Sequence, residues 1–253
     1  MPSSIYDKCA RLIKDARHVV ITTGAGVSQE SGIPTFRDAL DGLWERYDPT
    51  ELATPAAFEK NPKLVWDCYQ YRRQLIHQSQ PNAGHFAISA LQAQHPDLVI
   101  ITQNIDSLHE LAGSKGLIHL HGSIDEYRCS ANCQGRQVLI DLDSLPDKTA
   151  SPPKCPNCGQ YVRPNIVWFG ESLQENKIHT AYDASAACNL MIVIGTSGQV
   201  QPAASLPMLA KQAGAKLIEI NPQPTPINAL ADIIISERSG HAMPAIVEAF
   251  QNA

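Results

Sequence analysis

The amino-acid sequence predicts an α/β fold, with a doubly wound parallel sheet and a smaller second module. Short apolar runs rich in β-branched residues recur along the 253-residue chain without alternating with polar residues, as expected for strands that are buried on both faces. Helical patterns separate several of these runs. The composition changes between Gly122 and Pro164, where two close cysteine pairs occur, and this segment predicts the smaller module.

The predicted elements alternate along the chain in the order that a doubly wound fold requires. Helices are predicted from apolar residues at helical spacing. The longest of them has Pro62 near its start, a position that proline favours. Residues 37–62 contain prolines but no long periodic run, which indicates loops and short helices. The predicted helices are residues 5–16, 62–77, 82–94, 106–111, 176–187 and 203–213, and the predicted strands are residues 18–21, 98–101, 117–120, 166–168, 190–194, 216–220 and 233–235.

Composition and charge narrow the class of protein. Hydrophobic residues make up 43% and charged residues 18%, which is typical of a globular chain with a sizeable core. The formal net charge of -5 provides no basic field for holding nucleic acid. No apolar run is long enough to cross a bilayer, and the amino terminus lacks the pattern of a secretion signal. We therefore expect a cytoplasmic protein that binds neither nucleic acid nor membrane, and we expect it to be a monomer.

A glycine-rich stretch follows the first predicted strand. Gly24 and Gly26 allow the backbone to turn tightly and to approach a ligand closely. Ser28 is suited either to cap a helix or to donate to phosphate oxygens, and Arg37 offers a charged fork that matches phosphate. The stretch therefore indicates a dinucleotide phosphate site, with Gly32 coming later than the third glycine of the usual G-x-G-x-x-G pattern. An ordinary turn between a strand and a loop is the alternative.

Several polar or glycine-containing motifs come directly after predicted strands. In open α/β sheets, ligands bind at the edge formed by the carboxyl ends of the strands. Turn chemistry alone would rarely put so many motifs at one edge, so they predict a single ligand-binding cleft there. The motifs are Gly24, Gln103–Asn104, His121–Gly122, Phe169–Gly170, Gly195–Ser197 and Asn221.

Four of the seven cysteines form two close pairs, which indicate a metal site. Cys129 and Cys133 have a C-x3-C spacing, whereas Cys155 and Cys158 lie in a Cys-Pro-Asn-Cys-Gly turn of the kind that binds metal. Four thiolates complete a tetrahedral site and leave no position for water, so the expected Zn²⁺ is structural. Free thiols or two disulfides are the alternative, and a cytosolic location disfavours disulfides. The remaining cysteines fall on helical patterns and are predicted to be core residues, namely Cys9, Cys68 and Cys188.

An amide, an acid and three histidines lie near the third predicted strand. Asn104 and Asp106 follow the preceding strand, where a helix cap is the simplest role for Asp106 alone. His119 and His121 are two residues apart and would share one face of a regular strand. His121 is nearer to the predicted cleft, where a neutral imidazole is able to accept a proton from a sugar hydroxyl. Chemistry alone leaves His119 open as the base, and His109 is predicted to be structural.

The predicted helix at residues 62–77 carries two apolar stripes at helical spacing. One of them contains Val65, Tyr69, Arg72 and Ile76. In the first interpretation the stripe is core, and Arg72 reaches the rim with its aliphatic stem. In the second interpretation Tyr69 and Arg72 lie on one face and together bind an acid group. Sequence periodicity does not decide between them.

Taken together, these motifs resemble those of one family, the sirtuins, which are NAD-dependent protein lysine deacylases. The motifs occur in the family's order across nearly the whole chain, and as a set they are highly specific. They are G-A-G-V-S at 24–28, S-G-I-P-T-F-R at 31–37, T-Q-N-I-D-S-L-H at 102–109, H-G at 121–122, the two cysteine pairs, W-F-G-E at 168–171, G-T-S at 195–197 and I-N at 220–221.

The resemblance implies a Rossmann-like NAD-binding domain made of residues 1–36, 84–122 and 165–253. It also implies a small domain with a helical part at residues 37–83 and a zinc-ribbon part at residues 123–164, and NAD and substrate would meet between the two domains. The implied cofactors are NAD⁺ as co-substrate and one structural Zn²⁺ per chain. The implied partners are proteins that carry acylated lysines.

The site residues of the family map onto matching positions of this chain. His121 is implied as the general base, with Asn104 and Asp106 as the other catalytic residues. Residues 104–106 would surround the nicotinamide and its ribose, and Phe36 would shield the sugar after nicotinamide leaves. The implied NAD-binding residues are Gly24, Ala25, Gly26, Ser28, Phe36, Arg37, Gln103, Asn104, Ile105, Asp106, Gly195, Thr196, Ser197, Asn221 and Ala242. The implied peptide-binding residues are Val167, Phe169, Gly170 and Glu171.

The resemblance also implies a course of reaction. The amide oxygen of the acyl-lysine attacks the ribose carbon that bears nicotinamide, and nicotinamide departs. His121 then takes a proton from the ribose hydroxyls, so that the 2′ oxygen attacks the amide carbon. Water completes the release of lysine and O-acyl-ADP-ribose. The substrate peptide adds as a strand between residues 167–171 and the loop after Ser197.

One branch, the class III sirtuins, carries a Tyr-x-x-Arg pair in its acyl pocket and prefers negatively charged acyl groups. Tyr69 and Arg72 match that pair, Ala53 matches a small residue that widens the pocket, and Thr35 is also typical of the branch. The resemblance thus implies removal of succinyl and malonyl groups with weaker deacetylation. A general protein deacetylase, an NAD-dependent protein ADP-ribosyltransferase and a non-catalytic NAD-binding or zinc-binding module are the alternatives. The chain departs from the family at its C-x3-C spacing and at the proline that follows the adenine-contacting G-x-A, which is displaced here to Pro244.

Overall fold

The computed structural model describes residues 4–35, 52–147 and 149–252 of the chain. The α-helices are α1 (Ile5–Asp15), α2 (Pro55–Lys60), α3 (Pro62–Gln78), α4 (Ala83–Gln94), α5 (Leu108–Leu111), α6 (Glu175–Ala187), α7 (Leu206–Gln212) and α8 (Ser239–Asn252). The strands are β1 (Val19–Thr23), β2 (Val99–Thr102), β3 (Ile118–His119), β4 (Gly122–Cys129), β5 (Val162–Ile166), β6 (Leu190–Ile194), β7 (Lys216–Ile220) and β8 (Ile233–Ile235).

Local capping explains where the first helices begin. Ser4 Oγ accepts a hydrogen bond from the Asp7 N–H, and Asp7 accepts one from the Ser4 N–H, which closes a capping box at the start of α1. Asn61 caps α3 directly before Pro62, whose missing N–H costs nothing in the first turn. The predicted start of this helix is therefore confirmed. Within the described ranges, every helix is too short or too polar to cross a lipid bilayer.

Six strands form one parallel sheet in the order β3-β2-β1-β6-β7-β8. Each neighbouring pair in it is parallel. The chain winds outward from β1 through β2 to β3, and then outward on the other side from β6 through β7 to β8. The direction of winding therefore reverses between β1 and β6. This is the predicted doubly wound topology, and such folds bind ligands at the reversal point, outside the carboxyl ends of the strands.

The central strands form the core of the sheet. Every residue of β1 and β6 is buried, and Ile21 and Ile192 have no exposed surface. Residues of α1, α4 and α8 belong to the same apolar cluster as these two side chains. Full burial of an isoleucine contributes about 1.5–3 kcal/mol to the stability of the fold. The cysteines predicted to be core residues are buried as well, namely Cys9, Cys68 and Cys188.

The run at residues 166–168 is not a strand of the parallel sheet, so this prediction is wrong. Ile166 ends β5, which pairs antiparallel with β4 in a separate two-stranded sheet. Only Ile166 of the run belongs to a strand, and Val167 and Trp168 follow the end of β5. The two strands pack closely where β4 begins. A Cβ atom on Gly122 would lie 1.9 Å from the Asn165 carbonyl oxygen, so only glycine fits there. The Phe169–Gly170 motif therefore does not follow a strand of the parallel sheet.

The contacts divide the chain into two compact units. The larger unit comprises Met1–Thr35, Gln80–Leu120 and Gln174–Ala253 and contains the parallel sheet. The smaller unit comprises Phe36–Ser79 and His121–Leu173 and contains α2, α3, β4 and β5. Packing units need not coincide with functional domains, so the predicted domain boundaries stay a prediction.

Two histidines are buried side by side in the larger unit. His85 on α4 and His109 on α5 are 0% and 1% exposed, and their ring centroids lie 4.8 Å apart. His109 Nε2 lies 3.1 Å from Thr23 Oγ1, and His85 Nδ1 accepts a hydrogen bond from the Asn82 N–H. The structural role predicted for His109 is therefore confirmed.

We expect acid to destabilise the fold through this histidine pair. Burial lowers the pKa of His85 from 6.5 to about 4 and the pKa of His109 to about 3, and neighbouring histidine charges act on His109 in the same direction. The unfolded chain takes up these protons near pH 6.5, while the folded chain keeps both rings neutral. The stability is therefore fully present above that pH and is lost as the pH falls towards 4. Each histidine accounts for up to about 2 kcal/mol between pH 6.5 and pH 5.

Urea unfolding at a series of pH values between 7.5 and 5 measures this effect as a free energy of unfolding. His109→Asn removes one of the buried titrating groups, so its free energy of unfolding should depend less on pH than that of the wild type. His179→Asn is the matched control, because His179 is exposed on α6 and should leave the pH dependence unchanged. An equal pH dependence in His109→Asn and the wild type would contradict the expectation.

Candidate active site and metal centre

Two glycine-containing loops meet where the winding of the sheet reverses. One begins at Gly24 after β1, and the other begins at Gly195 after β6. The Gly24 N–H donates to the Ile194 carbonyl at 3.0 Å, and the Gly26 N–H donates to the Gly195 carbonyl at 2.8 Å. The ladder between the two central strands thus continues into the loops, and it brings two of the predicted motifs into contact.

The sequence needs glycine here because the two backbones touch. A Cβ atom on Gly24 would lie 2.8 Å from Thr196 Cβ, and one on Gly26 would lie 2.8 Å from Gly195 Cα. Gly195 itself has a φ of 60°, in the left-handed region that favours glycine. Gly32, the late third glycine, ends the next 3-10 turn with a φ of 83°. The glycine spacing therefore reflects packing between the loops, a reason that the sequence pattern does not reveal.

Polar side chains from neighbouring strand ends bond to this pair of loops. Gln103 Nε2 donates to Thr196 Oγ1 at 3.0 Å, and Asn221 Nδ2 donates to the Thr196 carbonyl at 2.9 Å. The Gln103 N–H donates to the Thr23 carbonyl at 3.0 Å. Because these residues follow β2, β6 and β7, the structure brings them together at the carboxyl edge of the parallel sheet.

Ser28, Asn104 and Asp106 form a buried hydrogen-bonded group. Asn104 Nδ2 donates to Ser28 Oγ at 3.0 Å, and Ser28 Oγ donates to Asp106 Oδ2 at 3.0 Å. The three residues are 1%, 7% and 6% exposed, respectively. The Ser28 hydroxyl makes no helix-capping bond, so that interpretation of Ser28 is wrong. The hydroxyl instead connects the glycine loop to the acid and the amide that follow β2.

The Asp106 carboxyl is buried, and opposing influences act on its pKa. Burial raises the pKa of Asp106 above its ordinary value, while hydrogen bonds from the Leu108 N–H and from Ser28 act in the opposite direction. The Leu108 bond, 3.1 Å long, also gives Asp106 the helix-start role that the sequence indicates. A buried carboxyl with a shifted pKa and defined partners is typical of a functional site.

The remaining predicted NAD-binding residues differ in accessibility. Ala242 on α8 has no exposed surface, and its N–H donates to the Arg238 carbonyl. Its side chain therefore offers a ligand no contact in this structure, which does not support the adenine contact implied for it. Phe36 and Arg37 lie outside the described residues. The half-buried members of the set are Ala25, Ile105 and Ser197.

The two candidate histidines after β2 have different surroundings. His119 bonds through Nε2 to Glu110 Oε1, and its Nδ1 lies 3.4 Å from the Asn104 carbonyl oxygen. His121 is half-buried, and its carbonyl accepts a hydrogen bond from the Val167 N–H at 2.9 Å. Both ring nitrogens of His119 thus have partners within the larger unit. The roles of His119 and His121 as general base stay predictions.

The four cysteines of the predicted zinc site form one cluster. Their Sγ atoms all lie within 4.8 Å of one another. The distance is 3.5 Å between the Sγ atoms of Cys129 and Cys158 and 3.7 Å between those of Cys133 and Cys155, and none of them is in a disulfide. A tetrahedral site with Zn–S bonds of about 2.3 Å places its sulfurs about 3.8 Å apart. The cluster therefore fits a structural Zn²⁺ with four thiolate ligands.

Loss of a zinc ligand should destabilise the smaller unit. Cys129 and Cys155 belong to a buried apolar cluster with Trp66, Tyr127 and Val162, so the bound ion would tie together segments that share this core. We expect Cys155→Ser to lose its zinc and to lower the melting temperature by about 10 °C or more, the equivalent of several kcal/mol.

Metal analysis and thermal melting check this prediction. The wild type should contain about one zinc per chain. Cys188→Ser is the matched control, because Cys188 is buried in the larger unit and lies outside the four-cysteine cluster. A Cys155→Ser variant that kept its zinc and its melting temperature would contradict the assignment.

Glu171 is held by two buried arginines. Its Oε1 accepts from Arg163 Nη1 at 2.7 Å and from Arg128 Nη2 at 3.1 Å, and its Oε2 accepts from the Trp168 N–H at 2.9 Å. Burial alone would raise the pKa of Glu171, but the hydrogen bonds and charges of the arginines hold it below its ordinary value. The carboxylate thus shapes the turn at residues 168–171. The Glu171 side chain bonds within the protein in this way, whereas the family resemblance implies a peptide contact for it.

The segment predicted to take up a peptide strand already uses several of its N–H groups. The Val167 N–H donates to the His121 carbonyl and the Phe169 N–H donates to the Ala53 carbonyl, each at 2.9 Å. The Trp168 N–H is bonded to Glu171. An added strand would therefore have to bond this segment through carbonyl groups or at Gly170, which is exposed.

Tyr69 and Arg72 are both buried on α3. They are 4% and 9% exposed, so the interpretation in which Arg72 reaches the rim is wrong. The Tyr69 ring lies 5.9 Å from the Trp168 ring, which in turn lies 5.4 Å from the Phe58 ring. Burial raises the pKa of Tyr69, and the charge of Arg72 opposes that shift. A phenol and a guanidinium are therefore buried one helical turn apart, next to an aromatic cluster.

Arg163 is a residue of this region that the sequence reasoning missed. Its guanidinium carbon lies 3.2 Å from the centroid of the Trp168 ring, and its Nη2 donates to the Ile166 carbonyl at 2.7 Å. No local motif marks an arginine within a buried strand as special, and only its contacts with Trp168 and Glu171 in the folded chain show what it holds in place. Ala53, predicted to widen the acyl pocket, is 4% exposed in the same unit.

Known proteins resemble this chain over most of its length. A model of the Sir2 family matches residues 24–202. NAD-dependent protein deacylase 1 of Pseudomonas aeruginosa is 47% identical over 243 residues, which cover 93% of this chain and 95% of that protein. NAD-dependent protein deacylase of Aquifex aeolicus is 47% identical over 231 residues, which cover 91% of this chain and 94% of that protein. The crystal structure of a Sir2 homologue–NAD complex has a TM-score of 0.89 and 43% identity, covering 97% of this chain and 94% of that one.

The groups at the carboxyl edge of the parallel sheet fit a dinucleotide such as NAD. Main-chain amides of closely packed glycine loops suit phosphate, and carboxamide and carboxyl groups suit sugar hydroxyls and a nicotinamide amide. The structure places such side chains at the point where the winding reverses, whereas the Gly24 and Gly26 N–H groups are bonded to the Ile194 and Gly195 carbonyls. The carboxamide and carboxyl side chains are Gln103, Asn104, Asp106 and Asn221.

Proposed function

Because the chain belongs to the Sir2 family, we propose that it removes acidic acyl groups from lysines of other proteins in an NAD-dependent reaction. NAD-dependent protein deacylation is the activity for which both relatives described above are named, and they match nearly the whole chain. The chain is thus an enzyme that uses NAD⁺ and has the ligands for one structural Zn²⁺. The proposal also includes a preference for succinyl and malonyl groups. The observation that supports this preference is the burial of Tyr69 and Arg72 on one face of α3.

When bound, NAD supplies a ribose carbon from which nicotinamide departs readily. Asn104, Ile105 and Asp106 hold the nicotinamide end, where the bonds through Ser28 keep the amide and the carboxyl aligned. The predicted residues Phe36 and Arg37 complete the site in this proposal. The body of NAD is assigned to Gly24–Ser28, Gln103, Gly195–Ser197 and Asn221.

His121 is the general base of the proposed reaction. A ring nitrogen of the neutral side chain would accept the proton of a ribose hydroxyl of bound NAD, whose oxygen would take over the acyl group as the acyl–nitrogen bond of the lysine breaks and one water is consumed. Imidazole suits this step because its charge changes near neutral pH. The hydrogen bond between the His121 carbonyl and Val167 fixes the backbone from which the ring projects. The products are free lysine, nicotinamide and O-acyl-ADP-ribose.

The acyl preference follows from the chemistry of α3. A succinyl or malonyl group ends in a carboxylate, which the paired N–H donors of the Arg72 guanidinium match. The Tyr69 hydroxyl donates a further hydrogen bond, and its raised pKa keeps that proton in place. A hydrogen bond to a charged group contributes about 1.5–3 kcal/mol. An acetyl group offers these donors no acid partner, so deacetylation is expected to be slower.

Acylated proteins are the substrates in this proposal, and residues 167–171 are the strand beside which the substrate peptide lies. The exposed side chain of Phe169, at 45%, is available to such a peptide. The cytoplasmic location, the monomeric state and the absence of nucleic-acid and membrane partners stay predictions from the sequence.

The products distinguish the proposed reaction from its rivals. After incubation with NAD⁺ and a succinyl-lysine peptide, mass spectrometry should find unmodified peptide, nicotinamide and O-succinyl-ADP-ribose. A peptide that carries ADP-ribose would instead indicate an ADP-ribosyltransferase. Unconsumed NAD⁺ with every acyl-lysine peptide would indicate a non-catalytic module. A parallel reaction without NAD⁺ should leave the peptide acylated.

A further inference from the structure

Asn104 is held from several sides at the carboxyl end of β2. Its N–H donates to Thr102 Oγ1 at 3.0 Å, and its side-chain amide donates to Ser28 Oγ at 3.0 Å. Its carbonyl oxygen lies 3.4 Å from His119 Nδ1. His119 is the register partner of Thr102 in the ladder between β2 and β3, which fixes its backbone beside the end of β2. His119 therefore completes the set of groups that orient Asn104.

His119 lies between two hydrogen-bond acceptors. Its Nδ1 faces the Asn104 carbonyl, and its Nε2 bonds to the carboxylate of Glu110 on α5. A neutral imidazole has one N–H and serves one acceptor, whereas an imidazolium has two and serves both. The arrangement therefore favours the charged ring.

We propose that His119 and Glu110 form a positioning pair that holds Asn104 in its working orientation while the His119 ring is an imidazolium. The inference rests on the proposed function, in which Asn104 holds the nicotinamide end of NAD. His119 acts through Asn104 and does not touch the substrate. When the Nδ1 proton is lost, the Asn104 carbonyl is released, and the side-chain amide loses its alignment towards Ser28.

The groups around His119 act on its charge in both directions. Burial favours the neutral ring, but the hydrogen bond and the charge of Glu110, with a smaller contribution from the facing carbonyl, outweigh it and raise the pKa of His119 above 6.5. Asp106 also favours the charged His119 ring, since the interaction between the two groups lowers the pKa of Asp106. Lys177 on α6 opposes it. His109 is neutral near pH 7 because burial lowers its pKa to about 3.

Two histidines then bound the pH range of activity. His121 works as a neutral ring and sets the acidic limb of the kcat/KM profile. His119 works as a charged ring and sets the alkaline limb. Raising the pH through the raised pKa of His119 removes its proton, so the contribution of the pair is present below that pKa and is lost above it.

The pH profile of kcat/KM for Glu110→Gln tests the inference. Without the carboxylate, the pKa of His119 falls, so the alkaline limb is expected to move to lower pH by about one unit or more while the acidic limb stays in place. Glu175→Gln is the matched control. Glu175 pairs with His179 at 3.9 Å on the exposed surface of α6, so its profile should overlap that of the wild type.

His119→Gln provides a second test, because a glutamine amide donates without titrating. This variant should have a lower kcat/KM at neutral pH and no alkaline limb from this site, and thermal melting shows whether it is folded. A wild-type profile in both variants, or an equal loss at every pH, would overturn the inference. If the wild-type enzyme deacylates no peptide at all, the proposed function is wrong. That result differs from unaltered pH profiles in the two variants, which would contradict only the positioning role of His119.

Discussion

Replacement of His121 by alanine is expected to lower kcat/KM for deacylation by about 10²- to 10⁴-fold, the usual contribution of a general base. The proposed NAD-binding groups that the structure describes lie in the larger unit, whereas His121 belongs to the smaller one. NAD⁺ affinity, measured by titration calorimetry, should therefore stay close to that of the wild type. Deacylation of a succinyl-lysine peptide gives the rate.

His179→Ala is the control for this substitution. His179 is 67% exposed and pairs only loosely with Glu175, so its loss should leave the rate unchanged. Deacylation at the wild-type rate in His121→Ala would remove His121 from the mechanism and would reopen His119 as the base. Unchanged melting temperatures in both variants would show that the fold is not the cause of any difference.

Arg72→Met is expected to lower kcat/KM for a succinyl-lysine peptide by about 10- to 150-fold, because a hydrogen bond between the guanidinium and the acyl carboxylate contributes about 1.5–3 kcal/mol. Deacetylation does not use this bond, so it should change little. Methionine keeps an unbranched apolar stem in this buried position. Kinetics on succinyl- and acetyl-lysine peptides of one sequence measure the change.

The neighbouring Arg73 offers a matched control on the same helix. Arg73 is 37% exposed and pairs with Asp125 at 2.8 Å. Arg73→Met removes the same charge from α3 but should leave the ratio of the two kcat/KM values at its wild-type level. An unchanged ratio in Arg72→Met would contradict the proposed acyl pocket.

Much of the fold could be predicted because local signals mark its elements. The central strands of the parallel sheet are buried on both faces, so they appear in the sequence as apolar runs, and Pro62 marks the start of α3. The run at 166–168 misleads because three apolar residues carry no information about the strand that pairs with them. The pairing of β5 with β4 depends on a close approach at Gly122, which only the three-dimensional structure reveals.

The candidate site likewise has features that could be predicted from the sequence and features that could not. The zinc ligands could be predicted because each cysteine pair is a local pattern, and the structure brings the four sulfurs together. The bond between Ser28 and Asn104 could not be predicted, because these residues lie 76 positions apart. Neither residue belongs to a sequence pattern that identifies its partner. The contact between Glu171 and Arg128, 43 positions apart, is hidden for the same reason. Single polar contacts over long sequence distances become visible only in the folded chain.

The central claim is that this NAD-dependent deacylase prefers acidic acyl groups. The most direct test is the ratio of kcat/KM for succinyl-lysine and acetyl-lysine peptides of identical sequence, measured on the wild-type enzyme at saturating NAD⁺. From the hydrogen bonds that Arg72 and Tyr69 would make to the carboxylate, we expect the succinyl peptide to be favoured by about tenfold or more. An equal or higher kcat/KM for the acetyl peptide would contradict the claim.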